Sequence, residues 1–284
     1  MRRFVLADKR TGEVTFEGVE ANRNQPCWVC EHTHKVPSWC LVDADRRICI
    51  CQRISSKHKV GDAGWWHSKD QSSVVAQVYY RPVELPPDKD WSPEWALAVT
   101  RSNAAHKDRL AEELGIPAEQ LNQSVEIGWA GRGWAFKMTN TQGVCCGIKL
   151  RLEGGGKLCE VGSRLGLVFN KNYTAKGELV ITEGESDMVV ANIWGFNSAG
   201  RPSCSSCSAQ ISEISKGRDV ILAADRDDAG IVGAQRLKKS IEKRAKSCTI
   251  VVPPEGNKDL RSWYLSGDGT AERFKWLVKS SRGY

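Results

Sequence analysis

From residue 178 onward, short apolar runs alternate with longer segments of helical spacing. The runs "ELVIT", "DVILAA" and "CTIVVP" are typical of buried strands, and "AGIVGAQRLKKSIEKRAK" separates the last two with a helical pattern. Strands that alternate with helices form βαβ units, whose right-handed crossovers produce a parallel sheet. The pattern predicts an α/β domain over residues 177–284 with a Rossmann-like parallel sheet.

The upstream residues have a different pattern. Helical spacing in "PEWALAVTRSNAAHKDRLAEELGI" ends at Gly115, and the short strand patterns "WAFKMTN", "GVCCGIKLRLEG" and "KLCEVGS" follow. This indicates a small α+β subdomain over residues 94–176. Four of the ten prolines fall within "RPVELPPDKDWSP", so we predict a linker over residues 81–93. A module rich in Cys and Trp precedes it, over residues 1–80.

The charge balance mildly favours an anionic partner such as nucleic acid. Lys and Arg number 41 against 34 Asp and Glu, a net charge of +7. Residues 127–176 form a local basic segment with only two acidic residues, Glu153 and Glu160. Its basic residues are Arg132, Lys137, Lys149, Arg151, Lys157, Arg164, Lys171 and Lys176. The chain has no G-x-x-x-x-G-K-[ST] motif, which argues against an ATPase motor.

No apolar run approaches the roughly 20 residues needed to cross a bilayer, and "MRRFVLADKR" lacks an apolar export segment. We therefore expect no membrane association and a cytoplasmic location. In that reducing compartment the 11 cysteines are expected to be thiols or metal ligands rather than disulfides.

Acidic residues follow two of the predicted strands. Glu183 comes directly after "ELVIT", and Asp225 and Asp227 follow "DVILAA". The carboxyl ends of parallel strands lie at one edge of a sheet, where ligands and catalytic groups gather. Converging carboxylates repel one another unless a cation joins them, and hard oxygen ligands suit Mg²⁺ or Mn²⁺. The alternative is structural: an exposed Glu183, an early-turn helix acid at Asp187 and a helix cap at Asp228.

The two motifs "ITEGESD" and "ILAADRDDAG", in this order, resemble the Toprim fold of DnaG-type primases, topoisomerases and related nucleases. The resemblance covers about residues 177–264. It implies that Glu183, Asp225 and Asp227 hold Mg²⁺ for phosphoryl transfer. Asp187 and Asp259 match further acidic positions that are common in primases. The general base implied is Glu183 or a metal-bound hydroxide.

The segment before these motifs resembles the one that precedes Toprim in primases of phages and mobile elements. In "GWAFKMTNTQGVCCGIKLRLEGGGKLCEVGSRLGLVFNK" the resemblance implies a basic surface for template and nucleotide phosphates. Its candidate residues are Lys149, Arg151, Lys157 and Arg164. The alternative is a solvated basic face without a ligand.

The cysteine module holds five Cys and two His between residues 27 and 51. Cys27 and Cys30 have the C-x-x-C spacing of half a tetrahedral zinc site. A predicted hairpin around residues 43–46 brings Cys40 beside Cys49 or Cys51, which share a strand face, so the pattern alone does not choose between them. The module resembles the zinc-binding module of primase-like proteins, which implies Cys51. The other candidates are Cys49, His32 and His34.

The resemblance implies a DNA primase that makes short RNA primers on single-stranded DNA from NTPs. A replicative helicase acting in trans is a further partner that it suggests. One alternative is a Toprim-type metal-dependent nuclease, which needs the same acidic residues. The other is a catalytically silent DNA-binding replication accessory protein. A topoisomerase is disfavoured because these short domains offer nothing to carry and gate a DNA-linked tyrosine.

Overall fold

The computed structural model describes residues 2–8, 12–21, 26–31, 40–43, 45–60, 64–69 and 89–282, and for residues 2–20 it describes the backbone alone. The chain divides into two compact units, Met1–Leu85 and Pro86–Tyr284. In the described helices, none is long and apolar enough to cross a membrane. Most of the predicted linker lies outside the described residues, and Pro93 is in the first turn of a helix.

The first unit is built on an antiparallel sheet whose strands follow one another in chain order. These strands are β1 (Arg2–Asp8), β2 (Gly12–Glu20), β3 (Leu41–Asp43), β4 (Ile48–Cys51) and β5 (Trp65–Ser68). The predicted hairpin is confirmed, because Val42 of β3 pairs with Cys49 of β4. In its turn, Arg46 adopts a left-handed φ of 55°. Asp43 Oδ1 closes the turn by accepting a hydrogen bond from Ile48 N at 2.8 Å.

The second unit begins with three helices and a four-stranded antiparallel sheet. They are α1 (Ser92–Arg101), α2 (Ala104–Leu114), α3 (Ala118–Ser124), β6 (Gly128–Trp129), β7 (Gly133–Thr139), β8 (Cys145–Leu152) and β9 (Lys157–Cys159). Asn103 caps α2, with its side chain accepting from His106 N. Gly115 ends that helix at φ 68°, a left-handed conformation that favours glycine. The predicted stop at Gly115 is therefore confirmed.

The rest of this unit is an α/β layer, as the alternating pattern predicted. Its elements are β10 (Val168–Phe169), β11 (Leu179–Thr182), α4 (Glu185–Ile193), β12 (Ser198–Gly200), α5 (Ser208–Ile214), β13 (Asp219–Ala223), α6 (Asp228–Ile241), β14 (Ser247–Val251), α7 (Leu260–Leu265) and α8 (Ala271–Arg282). The strand order is β10-β12-β11-β13-β14. The last four strands in this order are parallel, and β10 is antiparallel to β12.

Both faces of this sheet are buried. Val180 packs in one apolar cluster with α4 residues, whereas Leu179 and Ile181 pack in another with residues of α6. Burial on both faces explains why the first three residues of β11 are all apolar rather than alternating with polar residues. The first cluster also contains Leu110 and Phe136, which lie upstream of residue 177. The predicted boundary at 176–177 therefore lies inside one compact unit with a shared core.

Candidate functional site

The two acidic motifs meet at one edge of the parallel sheet. Because β11 and β13 are adjacent and parallel, their carboxyl ends lie side by side, with Ile181 paired to Leu222. Glu183 directly follows β11, and Asp225 lies two residues beyond β13. Partial burial raises the pKa of Asp225 to about 7, and the charges of Asp187, Glu183 and Asp259 contribute to the rise. The structure thus brings four of the predicted carboxylates within electrostatic reach of one another.

Asp187 and Asp259 are held at this edge by the first turn of α7. Asp187, on α4, is 7% exposed, and its Oδ1 accepts a hydrogen bond from Arg261 N at 2.9 Å. Asp259 caps α7, and its Oδ1 accepts from Ser262 N at 2.7 Å. Burial raises the pKa of Asp187 to about 6, with a further contribution from the charge of Asp259.

Asp227 has a structural role at this edge as well. It is the N-cap of α6, and its Oδ1 accepts a hydrogen bond from Gly230 N at 2.8 Å. Asp228, which the sequence offered as the cap, is instead the first residue of the helix. Burial raises the pKa of Glu183, and the charge of Asp227 adds to the rise. Asp227 therefore lies within electrostatic reach of Glu183.

Arg201 is a residue of this site that the sequence did not reveal. It directly follows β12, is 3% exposed, and places Nη2 3.5 Å from Glu183 Oε1. Its Nη1 donates to the carbonyl oxygen of Cys204 at 2.5 Å. Arg201 thus fixes the orientation of Glu183 from the neighbouring strand. The one signal in the sequence was its place just after "SAG", at the same carboxyl edge.

Three of the four predicted basic residues converge on Glu185, the first residue of α4. Its carboxylate lies 2.6 Å from Lys149 Nζ, 3.3 Å from Arg151 Nη2 and 3.5 Å from Lys157 Nζ. Burial alone would raise the pKa of Glu185, but the three cations together hold it well below its usual range. The Lys149 side chain is only 4% exposed and offers little surface to a template, whereas that of Lys157 is 42% exposed.

Lys157 extends this cluster towards the acidic edge. A Cβ placed on Gly184 would lie 3.4 Å from Lys157 Nζ and 3.7 Å from Asp187 Oδ2, so both groups lie over this glycine. Arg164, the fourth predicted basic residue, lies half-buried in the loop after β9, with its backbone N donating to Cys146 O at 2.9 Å. Nucleic-acid or nucleotide binding by these four residues stays a prediction.

The carboxylates form an open arrangement rather than a closed cage. Across the described residues, only a group of four cysteines places its possible ligand atoms all within 4.8 Å of one another. Mg²⁺ retains several waters and takes few protein carboxylates, completing its shell with substrate phosphates. A half-buried carboxylate set with mutually raised pKa values is the donor chemistry that such an ion requires. The residues at this edge therefore fit a Mg²⁺ or Mn²⁺ ion that takes few protein ligands and keeps several waters.

The four clustered cysteines are Cys27, Cys30, Cys40 and Cys51, the same set that was predicted. The Sγ of Cys40 lies 3.9 Å from that of Cys30 and 3.8 Å from that of Cys51. Zinc–sulfur bonds of about 2.3 Å in a tetrahedron place sulfur atoms about 3.8 Å apart. The backbone N–H groups of Arg53 and Ile54 also point at Cys51 Sγ, at 3.5 and 3.4 Å. This geometry fits Zn²⁺.

Cys49 is fully buried, and its Sγ lies 3.4 Å from that of Cys27, outside the group of four. Both Cys49 and Cys51 are on β4, two residues apart, which explains why the sequence pattern could not choose between them. The other two candidates, His32 and His34, lie outside the described residues.

Comparison with known proteins agrees with this architecture. A family model described as Toprim-like matches residues 180–263, so this segment is a Toprim-like domain. No curated protein matches the chain.

Several solved structures of primases are similar. The primase fragment of the bacteriophage T7 primase-helicase protein has 19% identity and a TM-score of 0.46, over 59% of this chain and 72% of that one. The RNA polymerase domain of Mycobacterium tuberculosis primase DnaG has 12% identity and a TM-score of 0.47, over 66% of this chain and 81% of that one. The structure of the zinc-binding and RNA polymerase domains of the Aquifex aeolicus primase has 13% identity and a TM-score of 0.42, over 88% of this chain and 77% of that one.

Proposed function

We propose that this protein is a DNA primase, a nucleotidyltransferase that joins NTPs into short RNA primers on single-stranded DNA. The observation that carries the proposal is the convergence of Glu183, Asp187, Asp225 and Asp259 at one sheet edge of a Toprim-like domain. The pKa values of Asp225 and Asp187 are raised by burial and by neighbouring carboxylates, and groups of this kind are suited to share a divalent cation. The proposed partners are the template, NTPs and a replicative helicase in trans, and the proposed location is the cytoplasm.

Glu183, Asp225 and Asp227 would hold Mg²⁺ or Mn²⁺, with Asp187 and Asp259 beside them. The ion would supply positive charge to the phosphates during phosphoryl transfer. The chain itself orients these carboxylates: Arg201 fixes Glu183, and the α7 backbone fixes Asp187. Positioning of this kind is the main contribution that a protein makes to phosphoryl transfer.

Lys157 supplies a cation at the same edge. Its half-exposed ammonium group lies beside Gly184 and Asp187, where an incoming phosphate can reach it. We propose that Lys157 and Arg164 contact template or nucleotide phosphates, while Lys149 and Arg151 support them through Glu185. In the other unit, Cys27, Cys30, Cys40 and Cys51 would hold one Zn²⁺ as a structural ion.

Primer synthesis on mixed-sequence single-stranded DNA with radiolabelled NTPs and Mg²⁺ tests the proposal. We expect labelled oligonucleotides from the parent protein and none from Asp225→Ala or Asp227→Ala. Asp228→Ala is the matched control, because this exposed neighbour belongs to the same motif but lies on the first turn of α6. Unchanged synthesis by both Asp225→Ala and Asp227→Ala would refute the assignment of these residues.

The same reactions distinguish the alternative functions. End-labelled template that is shortened in an Asp225-dependent manner, without NTP incorporation, would indicate a Toprim-type nuclease. Template binding without either reaction would indicate a silent accessory protein.

A further inference from the structure

A cavity of about 620 Å³ lies in the second unit, away from the acidic edge. Phe169, Asn170 and Tyr173 line it as the chain leaves β10. This strand runs antiparallel to β12, and Asn170 N donates to Ser198 O, at the amino end of β12. The Tyr173 hydroxyl accepts from Arg218, the residue before β13. The cavity is therefore at the amino edge of the sheet, whereas the carboxylates are at its carboxyl edge.

Asn170 lines this cavity and a neighbouring one, and its side chain carries an unused hydrogen-bond donor. It is 3% exposed, and its Oδ1 accepts from Ser198 N at 2.8 Å. In the described part of the chain, no group accepts a hydrogen bond from its side-chain NH₂. The Nδ2 atom is not among the fully buried unpaired atoms, so this NH₂ group is accessible and can donate to water or to an acceptor on a ligand.

The cavity also has a cation available. Lys137, on β7, lines it with an exposed side chain and has no ion-pair partner in the described ranges. Glu126, the acidic residue of the lining, already accepts a hydrogen bond from the indole N–H of Trp95 at 3.1 Å. Lys171 donates to the carbonyl oxygen of Asn122. Lys137 is therefore free to bind an anionic group.

Aromatic side chains complete the lining. The rings of Phe169 and Tyr173 lie 4.3 Å apart between centroids, and Trp95 lines the cavity as well. The volume falls in the range of small-molecule sites, roughly 300–1,000 Å³. A ligand that matches all three features has a flat ring, hydrogen-bond acceptors on or near that ring, and a negative charge.

We propose that this cavity binds a nucleotide, with its base against the aromatic side chains, a polar atom accepting from Asn170 and a phosphate at Lys137. A purely apolar ligand would not use the Asn170 donor or the Lys137 ammonium group, and an inorganic anion would not contact the exposed parts of Phe169 and Tyr173, whose other faces pack against the core. Because Glu126 is the single acidic residue in the lining that the structure describes, the site binds without a divalent cation. It is a second nucleotide site, independent of synthesis at the carboxyl edge.

Calorimetric titration of the 284-residue chain with AMP in EDTA tests this site. Adenosine and inorganic phosphate are titrated separately, as probes of the two parts of AMP. We expect one AMP to bind per chain, and adenosine and phosphate each to bind more weakly than AMP. Lys137→Ala should weaken AMP binding about tenfold, the effect of losing one charge-assisted hydrogen bond. Asn170→Asp keeps an acceptor for Ser198 N but replaces the donor, and should also weaken binding. Lys176→Ala, an exposed lysine outside the lining, is the control.

Asp225→Asn separates this proposal from the proposed function. The second site is supported if this variant makes no primers yet binds AMP in EDTA like the parent. It is refuted if no AMP binds in EDTA, or if binding depends on Asp225 and not on Lys137. Binding of a single-stranded oligonucleotide but not AMP, lost in Lys137→Ala, would assign the cavity to a nucleic-acid strand and also refute the nucleotide site.

Discussion

Lys149 Nζ lies 2.6 Å from Oε2 of Glu185, and both side chains are almost completely buried. Lys149 is on β8 and Glu185 begins α4, so this ion pair joins the antiparallel sheet to the Toprim-like layer. Arg151 and Lys157 contact the same carboxylate. The buried carboxylate of Glu185 thus contacts three cations, and one of them, Lys157, also lies beside the acidic edge.

Replacing Glu185 by Gln should strongly destabilise the second unit. The variant keeps the size of the side chain but leaves Lys149 as a buried cation without its counter-ion. Breaking a buried ion pair in this way costs about 3–5 kcal/mol. The measurement is the free energy of unfolding from urea titration. Glu153→Gln is the control, because its ion pair with Arg109 is half-exposed and should cost at most about 1 kcal/mol. Equal losses in the two variants would contradict the structural role of Glu185.

The stability of the metal-free chain should decrease as pH rises from about 4 to about 7. The folded pKa values of Asp225 and Asp187, about 7 and about 6, are above their usual value of 3.8. The folded state therefore binds more protons than the unfolded state in this window, and it loses stability as these carboxyls ionise. The lowered pKa of Glu185 acts in the opposite direction, mainly below its usual value of 4.5 and thus only at the acid end of this window.

Melting temperatures in EDTA at about pH 5 and about pH 8 measure this effect. We expect the parent to melt a few degrees higher at the lower pH, and Asp225→Asn to show a smaller difference. Mg²⁺ should raise the melting temperature more at the higher pH, where the carboxylates are ionised. A pH dependence that is identical in Asp225→Asn would show that this carboxylate does not titrate as proposed.

The sequence predicted β11, β13 and β14 and the acidic residues that follow the first two, because a buried strand and its end are local features. Arg201 escaped prediction because its contact with Glu183 depends on β12 lying beside β11. The burial of Lys149 escaped it for a similar reason. A cation on a strand looks solvent-exposed in the sequence unless the carboxylate that faces it, here Glu185 on another layer, is known.

The zinc content of two variants should show which of Cys49 and Cys51, on the same face of β4, is the zinc ligand. We expect one zinc per chain, lost in Cys51→Ser and retained in Cys49→Ser, because only the Cys51 Sγ belongs to the group of four. Elemental analysis of the purified proteins measures the zinc content. Retention of zinc in Cys51→Ser together with loss in Cys49→Ser would mean that Cys49 is the ligand. Absence of zinc from the parent would contradict the site altogether.

The final prediction concerns the basic residues that remain accessible. If Lys157 and Arg164 neutralise phosphates of single-stranded DNA, Lys157→Gln and Arg164→Gln should each weaken binding. Each should also reduce the slope of log K against log salt by roughly 0.7, the value for one lost contact with a single strand. Fluorescence anisotropy with a labelled oligonucleotide over a series of salt concentrations measures the slope.

Lys216→Gln is the control for that experiment, because Lys216 is exposed and lies after α5, outside the proposed surface. Since Lys157 also contacts Glu185, a melting curve must show that each variant is folded. Metal binding at Glu183 and Asp225 should persist in both variants, because neither changes a proposed ligand. A salt slope equal to that of the parent, in variants that melt normally, would show that this face is solvated and that the template binds elsewhere.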